Sequence, residues 1–148
     1  MVSSSAQTKC IFFDQACSNE KFLLSVEEAS PSNFHDWKAT IVFYCALHYL
    51  KSFAKTKGIK LIQHKDTFNK LYSQGDGKPP ELVVDVEIRR YYKILFEFAH
   101  TTRYDGFLEV SVSGKVGKLR VKDAKQYLEL IKDWIVPRLG KAGVDIAT

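Results

Sequence analysis

The stretch that decides the fold spans residues 33–64, NFHDWKATIVFYCALHYLKSFAKTKGIKLIQH. Its apolar residues recur at helical spacing in two neighbouring stripes: Trp37, Ile41, Tyr44 and His48, and beside them Val42, Cys45, Tyr49 and Phe53. We expect this helix to begin at Asn33, whose side chain can cap it, and to end at Gly58. A helix that is apolar over so wide an arc needs several neighbours, so the stretch predicts a helical bundle.

The remainder of the chain supplies further segments with helical spacing. These predicted helices cover residues 18–29, 66–72, 79–104 and 122–137. Ser18 caps the first, Pro79 and Pro80 open the long fourth helix, and Pro137 and Gly140 end the last. The stripe of the fourth helix consists of Val84, Ile88, Tyr91, Leu95 and Phe98.

The period changes to two after Asp105 and Gly106. Leu108, Val110 and Val112 alternate with polar residues, and residues 118–121 alternate again after a glycine-bearing turn at 114–117. This pattern predicts a small β-hairpin. The predicted fold is therefore mainly α, a bundle of about five helices with a small β-hairpin before the last helix.

Length and composition indicate one ordinary domain. The chain has 148 residues, of which 45% are hydrophobic and 26% charged, enough for one core. We expect a flexible segment over residues 1–16, a single helical domain over 17–140 and a tail over 141–148. The apolar run 41–50 is too short to span a membrane. A net charge of +5 permits an anionic partner, although no run of lysines or arginines concentrates it.

Cysteine usage and motif content narrow the functional classes. The odd set Cys10, Cys17 and Cys45, with no signal-peptide pattern at the N-terminus, indicates a reducing compartment, and we expect a cytoplasmic protein. The sequence has no glycine-rich phosphate loop, nucleophile elbow, CxxC pair or HExxH motif. We expect no cofactor and no metal, so any catalysis would rely on histidine, arginine and tyrosine.

Two segments resemble the HEPN superfamily. They are residues 37–50 and the pattern Tyr92-x-x-Leu95-x-x-x-Ala99-x-x-Thr102-Arg103-Tyr104, which is similar to the signature of many small bacterial members. The resemblance covers roughly residues 22–139. It implies a helical domain linked to nucleotide binding or metal-independent RNA cleavage, working as a homodimer or beside a partner protein in bacterial defence or toxin-antitoxin settings.

The chain departs from the ribonuclease members of that superfamily. Those members carry an arginine and, a short step along the same helix, a histidine, whereas here Arg89 and Arg90 lie too far before His100, and no histidine follows Arg103. Enzymatic activity is therefore left open. We expect a nucleic-acid- or nucleotide-associated module; the alternatives are a metal-independent ribonuclease and a protein-interaction subunit with no nucleic-acid role.

Two residues are candidates for catalysis. His48 could act as a general base or contact a phosphate, since imidazole titrates near neutral pH; the alternative is a histidine hydrogen-bonded within the core. Arg103 could bind a phosphate in bidentate fashion through its guanidinium; the alternative is a structural salt bridge to a carboxylate such as Asp36 or Asp105.

Other polar residues are candidates for binding nucleic acid or phosphate. The candidates, besides Arg103, are Tyr104, His64, Arg89, Lys93 and His100. For the row of Arg89, Lys93 and His100 the alternative is a solvated helix face, and for His64 it is an ordinary loop residue. Trp37 and Trp134 we assign to packing rather than to base stacking. The second and fourth helices have more apolar surface than a small bundle covers easily, so we also predict self-association.

Overall fold

The computed structural model describes residues 7–72, 75–105, 108–112 and 115–147. Five helices lie in this part of the chain, with two short strands before the last of them. The helices are α1 (Ile11–Ala29), α2 (His35–Thr56), α3 (His64–Leu71), α4 (Val86–Asp105) and α5 (Val121–Lys141). The strands are β1 (Leu108–Val112) and β2 (Lys115–Leu119).

Helix α2 is the centre of the bundle, because α1, α4 and α5 all pack against it. Its buried face carries one of the two predicted stripes, Val42, Cys45, Tyr49 and Phe53. The other stripe faces outward: Trp37 is 59% exposed and Tyr44 is 40% exposed. The assignment of Trp37 to packing was therefore wrong, whereas Trp134 packs edge-to-face on Phe53 with ring centroids 5.0 Å apart.

The starts of α1 and α2 differ from the predicted ones. Helix α1 begins at Ile11 rather than Ser18, since Phe13 and Ala16 belong to the core. Helix α2 begins at His35, and Phe34 rather than Asn33 occupies its N-cap, with a left-handed φ of 61°. The N-cap residues, Cys10 of α1 and Phe34 of α2, make no side-chain cap hydrogen bond.

Buried Lys38 stabilises the turn between α1 and α2. Its side chain is 3% exposed, and its ammonium group donates to the carbonyl oxygens of Ser30 at 2.5 Å and Pro31 at 3.3 Å. These bonds satisfy carbonyls at the end of α1 that have no partner within the helix. The charge of Lys38 is thus used inside the turn and is not available to a ligand.

Helix α3 begins at His64, slightly before the predicted start, with Gln63 and Asp66 forming a capping box. Helix α4 begins at Val86, so Pro79 and Pro80 do not open it as predicted. The segment between is extended: Leu82 and Val84 are buried, and the amide of Leu82 donates to the Lys70 carbonyl at 2.9 Å. Packing of these two side chains therefore prevails over the preference of proline for a first helical turn.

The backbones of β1 and β2 pair antiparallel, with Leu108 opposite Leu119 and Val110 opposite Gly117. Lys115, Val116 and Gly117, which we expected in the turn, belong to the second strand. Helix α5 continues through Pro137 and Gly140, where we expected it to end. A Cβ atom on Gly140 would lie 3.1 Å from Cδ1 of Ile146, so glycine allows the C-terminal segment to pack closely.

The two ends of the described chain meet. The amide of Thr8 donates to the Gly143 carbonyl at 2.8 Å, and the amide of Asp145 donates to the Thr8 carbonyl at 2.9 Å. Helices α1 and α5 cross the predicted domain boundaries after residues 16 and 140.

The three cysteines are all free thiols; Cys10 and Cys45 are buried and Cys17 is half-buried. No helix within the described residues is both long enough and apolar enough to cross a membrane.

Candidate functional site

Two histidines from different helices meet on one face of the bundle. His64 is the first residue of α3 and His100 lies on α4; their ring centroids are 6.2 Å apart and the rings are perpendicular. Phe96 lies beside both, 5.5 Å from the His64 ring and 4.2 Å from the His100 ring. Buried Phe43 forms the floor, and Tyr44 lies 6.5 Å from His64. We call these five residues the histidine-aromatic cluster.

The ring nitrogens of the cluster differ in their partners. Nδ1 of His100 lies 2.8 Å from the carbonyl oxygen of Phe96 and must donate to it, because a carbonyl only accepts. In the neutral ring, Nε2 of His100 is then the acceptor. Nδ1 of His64 is buried without a hydrogen-bond partner in the protein. Buried polar atoms usually have a partner, and this nitrogen is an exception.

The surroundings of His64 favour its neutral form. Burial lowers the pKa of the His64 imidazole below its usual value, and the neighbouring His100 and Lys51 lower it further. A neutral imidazole can accept a hydrogen bond or a proton, whereas an imidazolium can only donate. The cluster therefore places a neutral imidazole beside a second, exposed imidazole at neutral pH.

His48 lies at the edge of the cluster, with its ring 6.4 Å from that of Tyr44. It is half-buried, and its Nδ1 donates to the Tyr44 carbonyl at 2.8 Å. Burial lowers the pKa of His48; the bond to the Tyr44 carbonyl opposes that shift, and Lys51 adds to it. This position is compatible with both alternatives for His48. Its Nδ1 is hydrogen-bonded within α2, as a structural histidine would be, and that bond leaves Nε2 for a proton or a phosphate.

The other predicted binding residues do not act as one row. The Arg89 guanidinium lies 5.0 Å from the centroid of the Tyr72 ring and donates to the Leu71 carbonyl at 3.4 Å, so it is directed to the end of α3. Lys93 is exposed on α4. Of that row, His100 is the member that joins the cluster. Arg103 and Tyr104 belong to α4, but their side chains lie outside the described part of the structure, and the predictions for them stay predictions.

Sequence reasoning named His64 and His100 separately and missed their pairing. The only sequence signal was that Phe96 and His100 lie one helical turn apart. That His64 lies against this turn of α4 depends on how α3 packs. The spacing of residues along the chain does not predict that packing. Within the described residues, no group of three or more histidine, cysteine or acidic side chains could hold a metal ion.

Comparison with known proteins identifies the family. The HEPN domain model matches residues 18–139, which is most of the chain and includes all five helices in part or whole. The protein belongs to the HEPN domain family. Comparison with curated proteins and with solved structures finds no match.

Proposed function

We propose that this HEPN domain binds RNA or a nucleotide on the histidine-aromatic cluster. The observation that carries the proposal is the meeting of the His64 and His100 imidazoles, whose ring centroids are 6.2 Å apart. Ribose hydroxyls and base amino groups donate hydrogen bonds that neutral imidazoles accept, and a protonated imidazole contacts phosphate. The exposed ring of Tyr44 supplies a surface on which a base can stack.

The charge around the cluster supports an anionic ligand. Between Asp36 and Asp66 the sequence contains no acidic residue and six lysines, of which only Lys38 is buried and used within its own turn. One of them, Lys51, is close enough to lower the pKa of both His48 and His64. A phosphate backbone gains from such uncompensated positive charge, and its binding weakens as salt rises.

Metal-independent RNA cleavage is a second candidate function, favoured by the two imidazoles side by side. One imidazole would take the proton of a ribose 2'-hydroxyl as that oxygen bonds to phosphorus, and the other would protonate the departing 5'-oxygen. No metal takes part in that exchange. We place either activity in the cytoplasm, in a dimer or beside a partner protein, in a bacterial defence or toxin-antitoxin setting.

The test uses a fluorescent single-stranded RNA of mixed sequence and measures anisotropy at low and at physiological salt. His64→Ala/His100→Ala should weaken binding about tenfold or more, since a hydrogen bond to a charged group contributes about 1.5 to 3 kcal/mol. Tyr44→Ala should cost about 1 to 3 kcal/mol if its ring stacks on a base. His35→Ala, at the exposed start of α2 outside the cluster, is the matched control.

The same RNA incubated with chelator distinguishes binding from cleavage. Chelator-resistant products that disappear in the double histidine variant would establish the ribonuclease. Salt-sensitive binding without products would support the binding module. If the unmodified protein shows neither, the chain has no nucleic-acid role and the protein-interaction subunit is the remaining function.

A further inference from the structure

A second site lies at the other end of α2, where lysines surround an apolar pocket. The pocket has a volume of about 310 Å³ and is lined by Ile11, Phe12, Lys51, Lys55, Ile59, Lys60, Leu61 and Ile62. The ammonium groups of Lys51 and Lys55 lie 5.8 and 5.7 Å from the centroid of the Phe12 ring. We call it the lysine-rimmed pocket.

The exposed aliphatic side chains that line the pocket indicate a protein partner. Ile11 is 68% exposed and Ile62 is 73% exposed, and side chains of this size clustered at the surface typically mark an interaction site. Among the ion pairs found in the described residues, none involves Lys51, Lys55 or Lys60. A complementary partner surface would therefore be acidic and apolar together.

This chain carries such a surface itself. Residues 81–87 connect the extended segment to the first turn of α4. Two of their valines are at the surface: Val83 is 64% exposed and Val86 is 57% exposed. Glu81, Asp85 and Glu87 are also exposed and alternate with these valines; Glu87 already pairs with Arg90 at 2.5 Å, so the carboxylates offered to a partner are those of Glu81 and Asp85. Buried Leu82 and Val84 hold the backbone in place, so the exposed side chains project from a fixed support. We call residues 81–87 the acidic edge.

The acidic edge and the lysine-rimmed pocket are connected through Lys70. The ammonium group of Lys70 donates to the Lys60 carbonyl at 2.6 Å, and the Lys70 carbonyl accepts from the Leu82 amide at 2.9 Å. The two surfaces are thus neighbours on one side of the molecule. A two-fold axis between two copies can place each acidic edge on the partner's pocket, because such an interface repeats one self-complementary patch.

We propose that a second copy of this chain docks by setting its acidic edge on the lysine-rimmed pocket, which rests on the self-association proposed above. The valines would cover Ile11 and Ile62, and the carboxylates would face Lys55 and Lys60. RNA fits the pocket less well, because its lining is mainly apolar and Lys51 and Lys55 already lie over the Phe12 ring that a base would stack on.

Light scattering coupled to size exclusion tests the contact with matched charge reversals. Lys55→Glu/Lys60→Glu and Glu81→Lys/Asp85→Lys should each weaken self-association about tenfold or more, since like charges then meet at the interface. Mixing the two variants should restore a dimer, because each then offers the charge that the other lacks. Lys122→Glu and Asp133→Lys, on exposed positions of α5, are the controls and should dimerise normally.

Different failures separate this contact from the broader proposal. A monomeric unmodified protein at high micromolar concentration would overturn both self-association and this interface. A dimer that persists in both charge-reversal variants, or that Trp37→Glu dissociates instead, would overturn this interface alone; Trp37 lines a separate apolar groove between α1 and α2. RNA affinity lost in Lys55→Glu/Lys60→Glu with the dimer retained would assign the lysines to RNA and overturn the proposal as well.

Discussion

The two stripes of α2 differ in what covers them rather than in how apolar they are. Val42, Cys45, Tyr49 and Phe53 are each at most 4% exposed, because α1, α4 and α5 close over them. On the other stripe, Trp37 and Tyr44 remain exposed, and His48 is half-buried. Tyr44 belongs to the histidine-aromatic cluster, and His48 lies at its edge. One stripe therefore stabilises the bundle, and the other keeps aromatic rings at the surface.

The largest effect should come from removing an aromatic ring of each stripe in turn. Phe53→Ala should lower the free energy of unfolding by about 3 to 5 kcal/mol, the usual cost of deleting a buried ring. Trp37→Ala should change it by less than about 0.5 kcal/mol, because the ring is mostly in solvent. Urea unfolding followed by far-UV circular dichroism measures both. Equal losses would show that the two stripes do not differ as described.

A smaller effect should follow from removing the Glu20 carboxylate, which accepts a hydrogen bond from the buried stripe. Tyr49 donates a hydrogen bond to Glu20, and the other carboxylate oxygen of Glu20 pairs with Lys132 at 2.8 Å. Glu20→Ala should cost about 1 to 3 kcal/mol, because the Tyr49 hydroxyl loses its partner in a buried place. Glu129→Ala removes the exposed, 3.3 Å partner of Lys132 and is the matched control. A control loss as large as that of Glu20→Ala would contradict this account.

The smallest effect concerns the pH dependence of the open stripe. Burial lowers the pKa of His48 and of His64 in the folded state, so below about pH 6.5 the unfolded chain binds more protons than the folded one. Stability should therefore be full above that pH and should decline as the pH falls toward the folded-state pKa values. Chemical unfolding at about pH 7 and about pH 5 measures the decline.

The variant His48→Gln/His64→Gln should reduce that decline, and the exposed His35→Gln should leave it unchanged. An unaltered decline in the double variant would assign the acid sensitivity to other groups.

How much the sequence predicted depended on whether the information was local. Periodicity located α2 and its two stripes, but which stripe is buried depends on where α1, α4 and α5 lie. The helix starts failed for the same reason: buried Lys38 organises the turn before His35, and burial of Leu82 and Val84 draws the chain past Pro79 and Pro80 in an extended form.

The candidate site was predicted by residue and not by arrangement. His64 and His100 were both named, yet they meet because the start of α3 packs on α4. Arg89 was grouped with His100 on spacing alone, and its contact with Tyr72 directs it elsewhere. The lysines between Asp36 and Asp66 were a signal that was missed, since they are spread along α2, the loop after it and the start of α3 rather than forming a run.

The free cysteines give the protein built-in reporters of partial unfolding. Burial raises the pKa of the Cys45 thiol to about 12, and Cys45 has no exposed surface, so a thiol reagent reaches it only when the centre of the bundle opens. Cys10, buried at the start of α1, becomes reachable when the paired chain ends separate. The relative rates at which the two thiols are modified therefore distinguish fraying of the ends from opening of the core, without any added label site.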